Sequence, residues 1–257
     1  MATKPRSKKS AAQQHPIRVV PLHCPEAPRV AAAAKPQLTY RGGPLLTAVE
    51  VFTVFWGAEW KQAAQSAIAT NMNLFFDHIL TSALMDQLGE YSVPGKNIGH
   101  GKRTGTAKLT SPAPNSSVQD SAIQQLLQQE IAAKNLPAPG ANSLYFFFLP
   151  PGVKVVMGGS TSCKEFCGYH DATSGNIFYA VMPYPGCSGC TGGLSVTDAL
   201  TSTTSHELCE AITDPVPGQG WYDDSNGEIG DICAWKTRTL GGHTIQREWS
   251  NKAGSCV

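Results

Sequence analysis

Between Ser195 and Cys233 the chain carries eight carboxylates and no lysine or arginine. An unpaired carboxylate held away from water is costly, so a fold that buries this stretch must bring something positive to it. The rest of the chain has little charge to lend. Its 257 residues hold 20 Lys/Arg and 19 Asp/Glu, a formal net charge of +1. Even that balance is uneven. Residues 1–37 hold seven bases and one acid, Glu26, for +6, while residues 38–257 hold 13 bases and 18 acids, for −5. Such a chain is not a nucleic-acid binder held by bulk electrostatics.

The basic head also contains six of the 18 prolines and the alanine run at 31–34. It offers too little apolar surface to offset the entropy of ordering it, so residues 1–37 are expected to form a mobile basic Pro/Ala-rich arm. No apolar stretch approaches the roughly 18 residues of a membrane span. The basic start is not followed by the apolar run of a secretory signal, so the chain as it stands is expected to remain inside the cell unless another export route or a removed leader is involved.

From Leu38 onward the pattern is that of one layered domain, residues 38–257. Residues 48–56 alternate and are rich in β-branched and aromatic types, which predicts a strand. Residues 60–88 have helical spacing, read as two helices meeting near Asn71 and Asn73, and residues 92–116 read as a long loop or ribbon. Ser117 with Asp120 resembles a capping box opening a helix that stops before Pro137. Residues 143–149 form an apolar run suited to a buried strand, with further strands at 153–157 and 176–182. A last helix spans Val196 to Thr213 and ends at Asp214-Pro215. The order predicts a mixed α/β (α+β) fold, a sheet with flanking helices and a loop-rich C-terminal part.

The chemistry concentrates in that last helix. His206 and Glu210, four residues apart, share one face, while Leu200, Thr204, Leu208, Ala211 and Ile212 form an opposing stripe for the core. This is the geometry of the His-Glu-x-x-His zinc helix with Glu210 in place of the second histidine. Glu207, turned about 100° from His206, is then placed as a general base. A third ligand is expected from Glu228 or from Asp231, which otherwise orients a ligand, with His170 and His243 as rivals. A downstream carboxylate completing the site is similar to the arrangement in thermolysin-like peptidases. The expected function is therefore a zincin-like, zinc-dependent metallopeptidase, a monomer acting on a peptide or protein substrate. Asp214, Asp223 and Asp224 are an alternative calcium site. The competing reading is a non-catalytic protein in which the same residues hold a structural ion. Trp221 and Tyr222 read as local packing, and neither a Gly-rich nucleotide loop nor a G-x-S-x-G elbow occurs.

Cys163/Cys167 and Cys187/Cys190 are two close pairs that suit either a structural zinc or disulfides, and Cys209 falls near the apolar stripe as a small hydrophobe.

An ordered set of short motifs extends over about residues 38–257. These are Tyr40-Arg41-Gly42-Gly43-Pro44, Phe55-Trp56-Gly57, the segment 163–170 (CKEFCGYH) and the Cys187/Cys190 pair. They continue with SHELCEAITDP at 205–215, Trp221-Tyr222, Glu228-Ile229-Gly230-Asp231 with Cys233, and Trp249-Ser250-Asn251. In these the chain resembles the phosphate-induced protein 1 family, which includes the plant EXORDIUM proteins, as a compact bacterial-type relative. The resemblance implies that His206, Glu207, Glu210, Glu228 and Asp231 act together and adds weight to His170. It also implies an extracellular, wall-associated or signalling setting. There Cys163, Cys167, Cys187 and Cys190 would be oxidised in pairs, with Cys233 and Cys256 as a third bridge.

Overall fold

The apolar run at 143–149 has no polar face, and a strand of that kind is stable only when covered on both sides. In the computed structural model, which describes residues 19–23 and 35–257, Ser143–Phe148 lies inside a six-stranded sheet. The order across the sheet is Val19–Pro21, Phe166–Ala172, Phe178–Met182, Ser143–Phe148, Glu50–Trp56 and Lys102–Leu109. The last four run parallel, Phe166–Ala172 joins them antiparallel at one side, and Val19–Pro21 pairs antiparallel with Phe166–Ala172.

Side chains alternate between two cores. Leu144, Phe146 and Phe148 pack with Phe55, Ala180 and Met182 under the helices Ala63–Ile79 and Val196–Thr213. Tyr145 and Phe147 point the other way, with Val54, Tyr179 and Val181, under the helix Asp120–Ala132. The fold is thus mixed α/β, with helices on both faces of the sheet. Among the described residues no helix is long and apolar enough to cross a membrane.

Several expectations change. Val19–Pro21 pairs with Phe166–Ala172 and Val20 is buried, so part of the basic head belongs to the sheet. The rest of the predicted arm, residues 1–18 and 24–34, lies outside the described residues. Within the expected loop or ribbon 92–116, Lys102–Leu109 is an edge strand whose polar side chains alternate toward solvent. Residues 154–157 leave the main sheet and pair instead with Ser117–Gln119 and Ser160–Thr161. One continuous helix, Ala63–Ile79, runs through Asn71 and Asn73 without a break, and Asn73 Oδ1 accepts a hydrogen bond from Thr53 Oγ1 at 2.7 Å. Ser117 does not cap a helix. Asp120 instead accepts from the buried Tyr169 and Tyr179 hydroxyls at 2.7 and 2.8 Å.

Among the described residues three disulfides close the structure: Cys163–Cys187, Cys167–Cys190 and Cys233–Cys256. The first two tie the strand Phe166–Ala172 and the turn before it to the segment preceding the Val196–Thr213 helix. Cys209 is buried and unbridged, and Cys24 lies outside the described residues.

Candidate metal centre

The helix Val196–Thr213 starts where Ser195 Oγ accepts from the Asp198 amide at 3.1 Å, and proline at 215 prevents its continuation. Every residue from Ala199 to Thr213 is buried. The expected division into a core stripe and an open ligand face therefore gives way to an enclosed helix. It is packed between the strands Phe166–Ala172 and Phe178–Met182 on one side and His243–Gln246 on the other.

Six side chains from three parts of the chain converge beside it. The helix supplies His206, Glu207 and Glu210, the strand supplies His170, and the turn after Gly227 supplies Glu228 and Asp231. His206 Nε2 lies 2.9 Å from Glu210 Oε1 and 3.9 Å from Asp231 Oδ1. His170 Nδ1 lies 3.0 Å from Glu207 Oε2 and 3.6 Å from Glu210 Oε2. Its Nε2 faces Glu228 Oε1 at 3.5 Å and the Asp214 carbonyl at 3.1 Å. All are fully buried except Asp231, whose side chain is 7% exposed.

The turn is fixed from within. Asp231 Oδ2 accepts from the Glu228 amide at 2.9 Å, and Glu210 Oε1 accepts from the Asp231 amide at 3.1 Å. Gly230 passes so close to the His206 ring that a Cβ there would sit 2.7–2.8 Å from three of its atoms.

Many of these polar atoms have no hydrogen-bond partner. They are both nitrogens of His206, Oε1 of Glu207, Oε2 of Glu210, both oxygens of Glu228 and Oδ1 of Asp231. The 2.9 Å approach of His206 to Glu210 lacks hydrogen-bond geometry, so it is a contact of ligand-type atoms and not a formed bond. Buried polar groups are ordinarily satisfied, and unpartnered ligand-type atoms that converge this closely fit a cation. Two triads meet that description, His170/Glu210/Glu228 and His206/Glu210/Asp231, each with ligand atoms within 4.8 Å of one another.

The electrostatics reflect a buried excess of negative charge. Burial lowers the proton affinity of His170, but the hydrogen bond to Glu207 and the charges of Glu207, Glu210 and Asp214 carry it up to about 9. For His206, burial is likewise outweighed, chiefly by the charge of Glu210, and the imidazole sits well above its ordinary range. Burial pushes Glu228 and Asp231 well up, each reinforced by the charge of Glu210. Glu207 is also raised, by burial first, against the hydrogen bond from His170.

The site residues read from the sequence thus fall into place unevenly. Glu228 groups with His170, and Asp231 groups with His206. His243 lies apart, its ring against Phe75 and His78. Asp214, Asp223 and Asp224 do separate work. Asp214 accepts from the amides of Gly218, Gln219 and Gly220, Asp223 from those of Gln37, Ser225 and Asn226, and Asp224 pairs with Arg41 at 2.6 Å. Among the described residues these three acids form no metal-ligating group. Trp221 packs locally, donating from Nε1 to the Tyr91 carbonyl at 2.7 Å. One buried acid was not anticipated. Glu248 has both carboxylate oxygens unpartnered, and burial raises it against the charges of His206 and Arg238. It stands between Arg247 and Trp249 with no ligand-like spacing to mark it.

None of the protein-family models compared with the chain matches it, and neither does any curated protein sequence.

Proposed function

We propose that this protein is a metal-dependent hydrolase of peptide bonds, secreted and related to the phosphate-induced protein 1 proteins. The observation that carries the reading is the ring of buried, unpartnered ligand atoms on His206, Glu207, Glu210, Glu228 and Asp231. His206, Glu210 and Asp231 would hold a zinc ion, whose chemistry is to polarise a water and a scissile carbonyl. Glu207 is the general base. His170 holds its Oε2 at 3.0 Å, which leaves the unpartnered Oε1 to take a proton from water and return it to the leaving amine. The 7% exposure of Asp231 marks the side of the centre nearest solvent, and substrate is proposed to approach there. The zincin likeness rests on the helix carrying His206, Glu207 and Glu210. Three disulfides suit an extracellular setting.

A second reading has its own support, because complete burial of His170, His206, Glu207, Glu210 and Glu228 also suits a structural ion. One experiment separates them. Protein purified without chelators is analysed for metal and then assayed against a broad peptide library with zinc supplied. Metal with cleavage supports the hydrolase, metal without cleavage supports the structural ion, and absence of metal on titration removes both.

A further inference from the structure

The centre divides into two matching halves. His206 and Asp231 face Glu210 Oε1, with His206 Nε2 at 2.9 Å from that oxygen. His170 and Glu228 face the other side, with His170 Nδ1 at 3.6 Å from Glu210 Oε2. Each half therefore owns one imidazole and one carboxylate, and both include Glu210. Within each half the ligand atoms lie no more than 4.8 Å apart.

A single cation in either half leaves the other unanswered. An ion beside His206 and Asp231 does not explain why both oxygens of Glu228 are buried without a partner, and an ion beside Glu228 does not explain Asp231 Oδ1 or His206 Nε2. Charge leads to the same count. With both imidazoles neutral, as ligands must be, Glu207, Glu210, Glu228 and Asp231 bring four negative charges into the buried centre, and the unpartnered Glu248 beside it adds to them. One divalent ion leaves at least two of the four uncompensated, and a second brings the ligand set itself close to balance. Three backbone amides hold the carboxylate of Asp214 apart from the ligand set, while its charge still acts on His170 and Glu228. The Asp214 carbonyl oxygen, 3.1 Å from His170 Nε2, adds an oxygen to the second half.

We propose that the centre is dinuclear, with two divalent cations bridged by the carboxylate of Glu210, one held by His206 and Asp231 and the other by His170 and Glu228. The proposal rests on the metal-centre reading above and deepens it. Carboxylate-bridged pairs place their ions about 3.5–4 Å apart. One nitrogen with several oxygens in each half suits Mn(II), Fe(II), Co(II) or Zn(II) rather than a thiophilic ion.

The test uses the full chain, stripped with a chelator, loaded with Mn(II) and freed of excess metal. Elemental analysis should give two manganese per chain, and electron paramagnetic resonance should show an exchange-coupled pair. One manganese with the spectrum of an isolated ion would overturn the dinuclear proposal and leave the mononuclear reading standing. No manganese, with no uptake of zinc or cobalt either, would overturn both. Glu228→Gln should retain one ion and lose the coupling, and two coupled ions in that variant would overturn the assignment of Glu228.

Discussion

His170 Nδ1 and Glu207 Oε2, 3.0 Å apart and both fully buried, join a strand of the sheet to the enclosed helix across the centre. The contact fixes one oxygen of Glu207 and leaves the other unpartnered. A carboxylate anchored at one oxygen keeps its second in a set direction, as a proton acceptor in a closed site must.

Replacing Glu207 by glutamine keeps the volume and removes the base. Peptide hydrolysis should fall by about 10²-fold or more, while metal content stays near that of the parent. His206→Ala removes a ligand and should lose metal and activity together. Metal analysis and kinetics on the two variants decide the matter. If Glu207→Gln loses as much metal as His206→Ala, Glu207 holds the ion and is not the base.

Removing metal should destabilise the fold. Without a cation the carboxylates around Glu210 face one another in a buried space, and they join the helix, the strand and the 228–231 turn. A ligand at a hundred times its dissociation constant contributes about 2.7 kcal/mol. At about 2–4 °C per kcal/mol for a domain of this size, that is a Tm lowered by about 5–10 °C. Calorimetry with and without a chelator, followed by metal restoration, measures it. An unchanged Tm would mean that the centre binds no ion under those conditions.

All six residues of this centre were named from the sequence, but only the helical part of their arrangement was legible there. The helix Val196–Thr213 is bounded by local signals, the Ser195 cap and Pro215, and the four-residue spacing puts His206 and Glu210 on one face whatever surrounds them. The strand carrying His170 gave no such signal. Phe166 to His170 are buried on both faces, so no alternation marks them. Gly168 is there because a Cβ would lie 2.7 Å from Thr203 Cγ2, a requirement set by the helix laid across it. The assignment of Glu228 to His170 and Asp231 to His206 depends on how the turn folds back, which spacing along the chain does not contain. Lys102–Leu109 escaped notice for a different reason. It is a polar edge strand, anchored by Arg103–Asp77 and Lys102–Glu50 pairs, and lacks the apolar face that identifies a strand. The expectation of an open ligand face failed because all of Ala199 to Thr213 are covered, by the earlier strands Phe166–Ala172 and Phe178–Met182 and by the later hairpin strand His243–Gln246.

The Cys233–Cys256 bridge should matter to the centre as well as to stability. Cys233 ends the short turn that begins at Asp231, and the bridge pins that turn to the C-terminal strand Ser255–Cys256. Closing a loop of this length contributes about 3 kcal/mol on the chain-entropy estimate. The double variant Cys233→Ser/Cys256→Ser should lose about that much and also bind metal more weakly. Denaturant unfolding and a metal titration give the two readouts. Stability lost with metal affinity unchanged would show that the turn holds Asp231 without the bridge.

Gly230→Ala tests how closely the turn and the helix must fit. The backbone at Gly230 is in the ordinary right-handed region, φ −79° and ψ −40°, so alanine is not excluded by its dihedrals. Space is the constraint, because the new Cβ would meet three atoms of the His206 ring at 2.7–2.8 Å. Either the imidazole turns away or the backbone carrying Asp231 lifts, and each movement separates His206 from Asp231. Overpacking of this kind costs about 1–3 kcal/mol. Metal affinity should fall by about tenfold or more, since 1.4 kcal/mol corresponds to a factor of ten. Gly89→Ala is the control, with φ −56° and its nearest neighbour, the Ile98 carbonyl oxygen, 3.8 Å from the added Cβ. It should leave both stability and metal binding close to the parent. Isothermal titration of the two variants with zinc makes the comparison, and parental affinity in Gly230→Ala would show that His206 does not bind metal from the position it occupies beneath Gly230.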